Sequence, residues 1–309
     1  MLFSTAFIAS GFDFSKLNTA NYETNSYTLN GNFETIEIRT DEAAVTFQPS
    51  EDGKTRVVCV EREKVRHEVF IENASLKILA ADRRAWYDFL FLFSLKPQSV
   101  TVYLPSEHYA ALTIAARTGD VSIPELFSFG DAEITVSTGD VTFDASSDGG
   151  LKISTSTGDI HMNRVQAESI DLSVSTGRIE GRDIDCKETL SVKVSTGKTD
   201  LTDVACKVLR STGTTGAVTL KNVVATEDFR IERDTGDVRF ESCDAGQISV
   251  KTSTGNVTGT LCSEKVFVTK TSTGKVNVPD SVSGGRCEIT TSTGNIRIST
   301  ESLSEFKQP

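Results

Sequence analysis

The sequence predicts an all-β fold, a single-stranded β-solenoid or β-helix of about ten coils behind an irregular, β-rich N-terminal cap. The first observation is a Thr-Gly pair that recurs ten times at intervals of 19 or 20 residues. The second is that apolar and polar residues alternate along each repeat. A fixed period near 20 is typical of stacked repeat folds, and alternation by two is typical of a strand with one buried face. The repeated glycines are Gly119, Gly139, Gly158, Gly177, Gly197, Gly216, Gly236, Gly255, Gly274 and Gly294.

Alignment on this glycine indicates which positions face the interior. The position seven residues before it is apolar in all ten coils: Leu112, Ala132, Leu151, Ile170, Leu190, Leu209, Phe229, Ile248, Phe267 and Cys287. Positions five before and two after are mostly apolar, while Ser, Thr, Lys, Glu and Asp fill the places between. Each coil is therefore predicted to contain a strand of about seven residues, a corner and a short second strand. A third short segment is predicted at Val165, Ile184, Val204 and Val223.

The Thr-Gly pairs are interpreted as the corners of the coils. Glycine is expected there because a tight corner needs a positive φ. By strand parity the preceding threonine is expected to point inward, so that ten threonines stack, pack their methyl groups and bond corner backbone with their hydroxyls. Representative corners are Thr138 and Gly139, Thr157 and Gly158, Thr176 and Gly177, and Thr254 and Gly255.

The remaining segments suggest four parts of the chain. Residues 1–30 form an N-terminal tail, 31–110 a degenerate β start that caps the rod, 111–300 the repeats and 301–309 a polar C-terminal tail. The first ten residues are apolar but too short to span a bilayer. They fit either the remnant of a membrane anchor, with a tether upstream of residue 1, or a local apolar start that packs on the cap.

An aromatic run interrupts the N-terminal part without alternating. Its large side chains are Trp86, Tyr87, Phe89, Phe91 and Phe93. Such a run either folds over the open end of the solenoid as a hydrophobic plug or marks a contact with a membrane or a partner.

Composition and spacing argue against several function classes. The 43 acidic residues exceed the 32 basic ones, for a net charge of -11, which argues against nucleic-acid binding. The three histidines lie far apart in sequence, and none is placed near an Asp/Ser pair. No catalytic residue, cofactor-binding residue or metal ligand is predicted, and the six cysteines lack zinc-type spacing.

Four cysteines form two candidate neighbouring pairs. Cys186 and Cys206 occupy the same position in successive coils, as do Cys243 and Cys262. A coil spacing of about 4.8 Å lies within the Cα range of a disulfide. Free thiols that serve as small core residues are the other interpretation.

Charged residues near the corners raise two further questions. Asp120, Asp140 and Asp159 stack beside the glycines, which suggests either calcium binding or turn chemistry with Asp159 paired to Arg178 across coils. Arg233 falls on the inward parity with no partner indicated by the pattern, so a local bulge that turns it outward is expected.

The repeats resemble a known family. Coils of the type Val136-Ser137-Thr138-Gly139-Asp140-Val141, preceded by Val100-Thr101-Val102-Tyr103-Leu104-Pro105, are similar to the bacterial DUF4097 family of adhesin-like proteins over about residues 31–300. The resemblance implies a β-solenoid, an envelope association in many members and no established enzymatic activity.

The favoured hypothesis is a noncatalytic β-solenoid on the extracytoplasmic face of a bacterial cell envelope. It would act as an adhesin or interaction module for an unknown protein or glycan partner. One alternative is an intracellular scaffold or a regulator of envelope stress. Another is a carbohydrate-active enzyme built on a solenoid.

Overall fold

A computed structural model describes residues 22–62, 65–82 and 98–301. In that part of the chain every regular element is a β-strand, which confirms the all-β solenoid. None of the described residues forms a helix long and apolar enough to cross a membrane.

The middle of the rod consists of coils stacked in chain order. Equivalent strands of successive coils pair in parallel and in register, as when Ile134 pairs with Ile153 and Ile153 with Leu172. The strands are β8 (His108–Thr118), β9 (Val121–Ile123), β10 (Ser128–Thr138), β11 (Val141–Phe143), β12 (Ser146–Ser147), β13 (Gly150–Thr157), β14 (Ile160–Ala167), β15 (Ser169–Thr176), β16 (Ile179–Thr196), β17 (Thr199–Thr215), β18 (Val218–Thr235) and β19 (Val238–Thr254).

One continuous apolar core runs along the rod. The predicted apolar positions are buried through the middle of the rod, including all four residues of the third segment, from Val165 to Val223. Near the C-terminal end the prediction fails, since Phe267 is only partly buried and Val276 is exposed. Aromatic rings fill the core near the N-terminal end, where Phe47 and Phe143 both lie against Phe129 at ring-centroid distances of 6.5 Å and 6.4 Å. Alternate burial along each strand allows a thin rod to form a complete core from modest hydrophobic content.

The N-terminal end combines two coils with antiparallel strands. Its elements are β1 (Tyr22–Leu29), β2 (Thr35–Thr40), β3 (Ala43–Pro49), β4 (Thr55–Arg62), β5 (Val65–Glu72), β6 (Ser75–Asp82) and β7 (Gln98–Leu104). Strands β2 and β3 form a coil that lies between β6–β7 on one side and β8–β9 on the other. Strand β5 pairs antiparallel with β6. Strand β4 pairs antiparallel with β7, and β1 pairs antiparallel with β4. These three strands cover the end of the parallel stack.

The C-terminal end also departs from chain order. Its strands are β20 (Val257–Leu261), β21 (Lys265–Thr273), β22 (Val276–Asn277), β23 (Gly285–Thr293) and β24 (Ile296–Thr300). The last strands, β23 and β24, insert between the coil of β19–β20 and the coil of β21–β22. Gly294 therefore stacks between Gly255 and Gly274, although it follows both in sequence.

Candidate functional site

The corner glycines have a conformation and a contact that exclude other residues. All ten have φ between 131° and 158°. In nine of them an added Cβ would overlap the carbonyl oxygen of a corner glycine in the neighbouring coil, as Gly139 would with Gly119, and at Gly119 it would overlap that of Ala43. Glycine is required here both for its backbone freedom and for the close approach of successive coils.

The threonines before these glycines point outward, so the expectation of an inward threonine column is wrong. All ten are exposed, including Thr138, Thr157, Thr176 and Thr254. The inward parity ends three residues before the glycine, after which the Ser-Thr pair turns out with the corner. The predicted hydroxyl contact is made instead by a threonine three residues before a corner glycine. Thr155 Oγ1 donates to the carbonyl oxygen of Gly139 at 3.2 Å.

These threonines belong to a largely exposed band, here called the hydroxyl stripe. It consists of the threonines directly before the corner glycines and the serines that precede most of them. The stripe contains Thr118, Thr138, Thr157, Thr176, Thr196, Thr215, Thr235, Thr254, Thr273, Thr293, Ser137, Ser156, Ser175, Ser195, Ser253, Ser272 and Ser292. No charged side chain occurs in its threonine column. With coils about 4.8 Å apart, ten of them present hydroxyls along roughly 43 Å of the rod.

The aspartates after the corner glycines form a backbone ladder. The Asp120 carboxylate accepts the N–H of Asp140 at 2.9 Å, and the Asp140 carboxylate accepts that of Asp159 at 2.7 Å. Asp159 likewise accepts the backbone N–H of Arg178, whose side chain lies 3.9 Å from Asp200 instead. Asp159 and Arg178 are thus paired across coils, through the backbone N–H of Arg178 and not through its guanidinium. The three aspartates act as turn residues, since one carboxylate oxygen of each accepts a backbone N–H from the corner of the next coil.

A shallow depression of about 620 Å³ lies along the third segment of the coils. Its rim is set by residues in the left-handed region, such as Asp183 at φ 50° and Asp203 at φ 55°. Asn222 donates to Asp203 at 2.8 Å, so stacked side chains bond to one another along the rim. Asp185 adds a third carboxylate, and Val224 is 45% exposed there. The depression is acidic, open and without an aromatic side chain among its lining residues.

The structure brings His161 close to carboxylates that are distant in sequence. Its Nδ1 lies 3.6 Å from Glu180, which also pairs with Arg182 at 2.6 Å. These groups line a depression of about 140 Å³ together with Asp144. Burial raises the pKa of the Asp144 carboxyl, an effect that Glu125 reinforces.

His108 is also placed beside a serine and an aspartate, so the expectation that no histidine lies near such a pair is wrong. Its Nδ1 lies 3.0 Å from Ser128 Oγ and 3.8 Å from Asp148. Both neighbours share one ring nitrogen, whereas a nucleophilic triad uses the two ring nitrogens separately. The arrangement is an exposed cross-coil contact.

Arg233 points into the core, and the predicted outward bulge is wrong. The side chain is only 4% exposed and donates to Thr199 Oγ1 at 3.2 Å and Ser211 Oγ at 2.9 Å. Gly213, at the same position one coil earlier, leaves room for the guanidinium. Desolvation lowers the pKa of Arg233 to about 10. Thr199, Ser211 and Gly213 thus stand at inward positions that are apolar in most other coils, and together they accommodate the buried guanidinium.

All six cysteines are free in this structure, which agrees with the interpretation as free thiols. Cys186 and Cys206 are in register on neighbouring coils, and both are buried. Burial raises the pKa of the Cys206 thiol to about 12. Cys243 and Cys262 are not in register, since Cys243 pairs with Leu261 after a shift in the strand pairing.

The aromatic run predicted as a plug or contact lies outside the described residues. That applies to each of its members, Trp86, Tyr87, Phe89, Phe91 and Phe93.

A buried polar cluster that the sequence did not predict lies between β4, β5 and β2. Glu61 Oε2 accepts hydrogen bonds from both Nδ1 and the backbone N–H of His67, each at 2.7 Å. The other carboxylate oxygen accepts from Asn25 at 2.8 Å, and His67 Nε2 lies 3.1 Å from Thr40 Oγ1. Burial alone would raise the pKa of Glu61, but the hydrogen bonds from His67 and Asn25 outweigh it and lower the pKa. The signal available in sequence was the Cys59-Val60-Glu61 alternation, which places a thiol and a carboxylate on one inward face.

Stacked coils of this kind define a β-solenoid repeat protein. The chain belongs to the DUF4097 (Toastrack) family, whose sequence profile matches residues 33–189 and 182–307. A search among curated proteins finds no match.

The chain is similar to several solved structures at low identity. A "putative lipid binding protein" from Parabacteroides distasonis is 14% identical, with a TM-score of 0.51 over 91% of this chain and 98% of that one. A "putative adhesin" from the same species is 14% identical, with a TM-score of 0.45 over 89% and 98% of the two chains. A "putative adhesin" from Parabacteroides merdae is 10% identical, with a TM-score of 0.44 over 91% and 98%. The first of these likenesses supports the fold alone.

Proposed function

We propose that the protein is a noncatalytic interaction module of a bacterial cell envelope, which binds a glycan or protein partner along its rod. The observation that carries this proposal is the hydroxyl stripe. Its ten threonines are all exposed and stand in a straight column of parallel, in-register coils. Hydroxyls both donate and accept hydrogen bonds, so a rigid row of them complements an extended ligand with repeated polar groups.

The other surface features support binding along a face over chemistry in a cleft. The depressions of about 620 Å³ and 140 Å³ are open, and in the smaller one Glu180 lies beside both His161 and Arg182. The names of the solved structures with this fold refer to adhesion and lipid binding. An extracytoplasmic location on the envelope is part of the proposal, as is a tether upstream of residue 1.

The proposal is tested by binding of the full chain to envelope polysaccharide and envelope protein fractions. The test variant carries Thr157→Lys and Thr196→Lys on the stripe. The matched control carries Thr113→Lys and Thr226→Lys, which are exposed threonines away from it. Binding is expected to fall at least tenfold for the stripe variant and to stay unchanged for the control. Equal binding by the two variants would contradict the proposal.

A specific observation favours a second candidate, an intracellular scaffold or regulator. Six free cysteines are typical of a reducing compartment, since cysteines of extracytoplasmic proteins usually form disulfides. Fractionation of cells separates the two candidates. A pool confined to the cytosol would support the scaffold and rule out the envelope location.

A further inference from the structure

The buried cluster near the N-terminal end contains a third donor beside Glu61 and His67. Cys59 lies two residues before Glu61 on β4, so that both side chains face the interior. One donor atom from each of Cys59, Glu61 and His67 lies within 4.8 Å of the others. Among the described residues, this is the one place where three such donors converge so closely. All three side chains are buried.

The groups around these donors already have the arrangement that supports metal ligands. A ligating histidine usually gives its second ring N–H to an oxygen, and a ligating carboxylate is itself hydrogen-bonded. Here the second ring nitrogen of His67 lies 3.1 Å from Thr40 Oγ1. The second oxygen of Glu61 accepts from Asn25 at 2.8 Å. Thus Glu61 Oε2, His67 Nδ1 and Cys59 Sγ can face one cation while Asn25 and Thr40 hold the outer atoms of Glu61 and His67. The second lone pair of Glu61 Oε2 can keep the hydrogen bond from the His67 backbone N–H.

We propose that Cys59, Glu61 and His67 bind a divalent cation of the zinc type in the N-terminal end of the rod. Thiolate, imidazole and carboxylate are donor types that zinc accepts, and a water molecule can complete the tetrahedral geometry. On binding, the neutral His67 ring changes tautomer: its proton leaves Nδ1, which faces the cation, and is carried on Nε2, where Thr40 Oγ1 accepts it. Cys59 releases its thiol proton to solvent. One dication with one thiolate and one carboxylate is neutral, so no net charge is buried.

The site would join three strands at the least regular part of the molecule. Cys59 and Glu61 lie on β4, His67 on β5, and Asn25 on the edge strand β1. Tyr27 of β1 also donates to the backbone carbonyl of His67 at 3.1 Å. A cation at this point therefore fixes antiparallel strands that lack the repeated corner glycines of the middle, and its role is structural.

The test uses the full chain, unfolded in chelator and refolded with or without zinc sulfate. Because the site is buried, the cation is expected to enter during refolding. Wild type should retain one zinc per chain after desalting. Refolding with cobalt(II) should give a thiolate-to-metal charge-transfer band, which reports the Cys59 bond directly. Absence of both zinc and the band in refolded wild type would overturn the proposal.

Variants separate this site from the other thiols. Cys59→Ser should lose the band and weaken binding at least tenfold. Cys287→Ser is the matched control, since both thiols are fully buried and burial raises the pKa of each to about 12. It should bind as wild type does. Asn25→Ala, which removes the support of Glu61, should weaken binding about tenfold while keeping the band. Equal binding by Cys59→Ser and wild type would overturn the assignment.

Discussion

The middle of the rod and its two ends use the same kind of coil but stack it in different orders. Between Gly119 and Gly255 each coil lies on its predecessor in sequence. At both ends the terminal coil of the chain, formed by β2–β3 or by β23–β24, lies one place inside the stack. The outermost coils are formed by internal segments.

The difference teaches how a stack of identical coils protects its ends. Chain termini fray because they have contacts on one side only. Here each terminal coil pairs on both sides, and the outermost coil is held by chain connections at each of its ends. The outermost coil at the C-terminal end, formed by β21 and β22, is less well covered, since Val268 and Val276 are both 44% exposed.

The largest expected effect is at a corner of the middle. Gly197→Ala should lower the free energy of unfolding by about 3–5 kcal/mol, because φ is 144° and the new Cβ would overlap the carbonyl oxygen of Gly177. Gly53→Ala, in a turn of the N-terminal part with no atom within 4 Å of the new Cβ, should cost about 1 kcal/mol. Urea denaturation measures both. A similar loss in the two variants would show that the stacking contact is unimportant.

The inserted terminal coil is expected to behave as the interior of the rod. Ile289→Ala in β23 should cost about 2–5 kcal/mol, because the side chain is fully buried between two coils. Phe267→Ala in the surface coil should cost about half as much, although it removes a larger side chain that is only partly buried. Chemical denaturation gives the comparison. A greater loss at Phe267 would contradict the stacking order of the C-terminal end.

A smaller effect is expected at the irregular core position of the middle. Arg233→Met should leave stability unchanged or raise it by up to about 2 kcal/mol, because removal of the desolvated cation offsets the loss of its three hydrogen bonds to neutral oxygens. The folded pKa, about 10, lies below the unfolded value of 12.5. The penalty in wild type is therefore complete below pH 10 and declines as pH rises above it.

Denaturation at pH 8 and pH 10.5 measures this difference. Lys251→Met, an exposed substitution on the next coil, serves as the control and should change stability by less than about 0.5 kcal/mol. A loss of more than about 1 kcal/mol in Arg233→Met would show that the guanidinium stabilises the core.

The smallest effect separates the two threonine columns. Thr155→Val should cost about 1 kcal/mol, because its buried hydroxyl donates to the carbonyl oxygen of Gly139. Thr157→Val, on the exposed hydroxyl stripe, should change stability by less than about 0.5 kcal/mol. Thermal unfolding of the two variants checks the assignment. A larger loss of stability in Thr157→Val than in Thr155→Val would indicate that the threonine directly before the glycine is the buried one.

Periodicity predicted the fold well because burial repeats with it. The glycine period and the apolar column from Leu112 to Cys287 depend only on local geometry and on which side is wet. Parity failed at the corner, where Ser137 and Thr138 both face outward. At Arg233, by contrast, parity alone predicts the inward position correctly, and the outward bulge is wrong. The partners Thr199 and Ser211 become neighbours only when coils stack.

By itself the sequence determined the strands, the glycine corners and the stacked middle, since each follows from interactions within one coil or between consecutive coils. Only the tertiary structure decided that the first and last coils insert beneath others, and that Glu61, His67 and Cys59 converge. Those arrangements depend on which backbone edges remain unpaired when distant segments meet. An unpaired edge is satisfied by any strand of suitable register, so the order of strands at the ends cannot be deduced from their individual patterns.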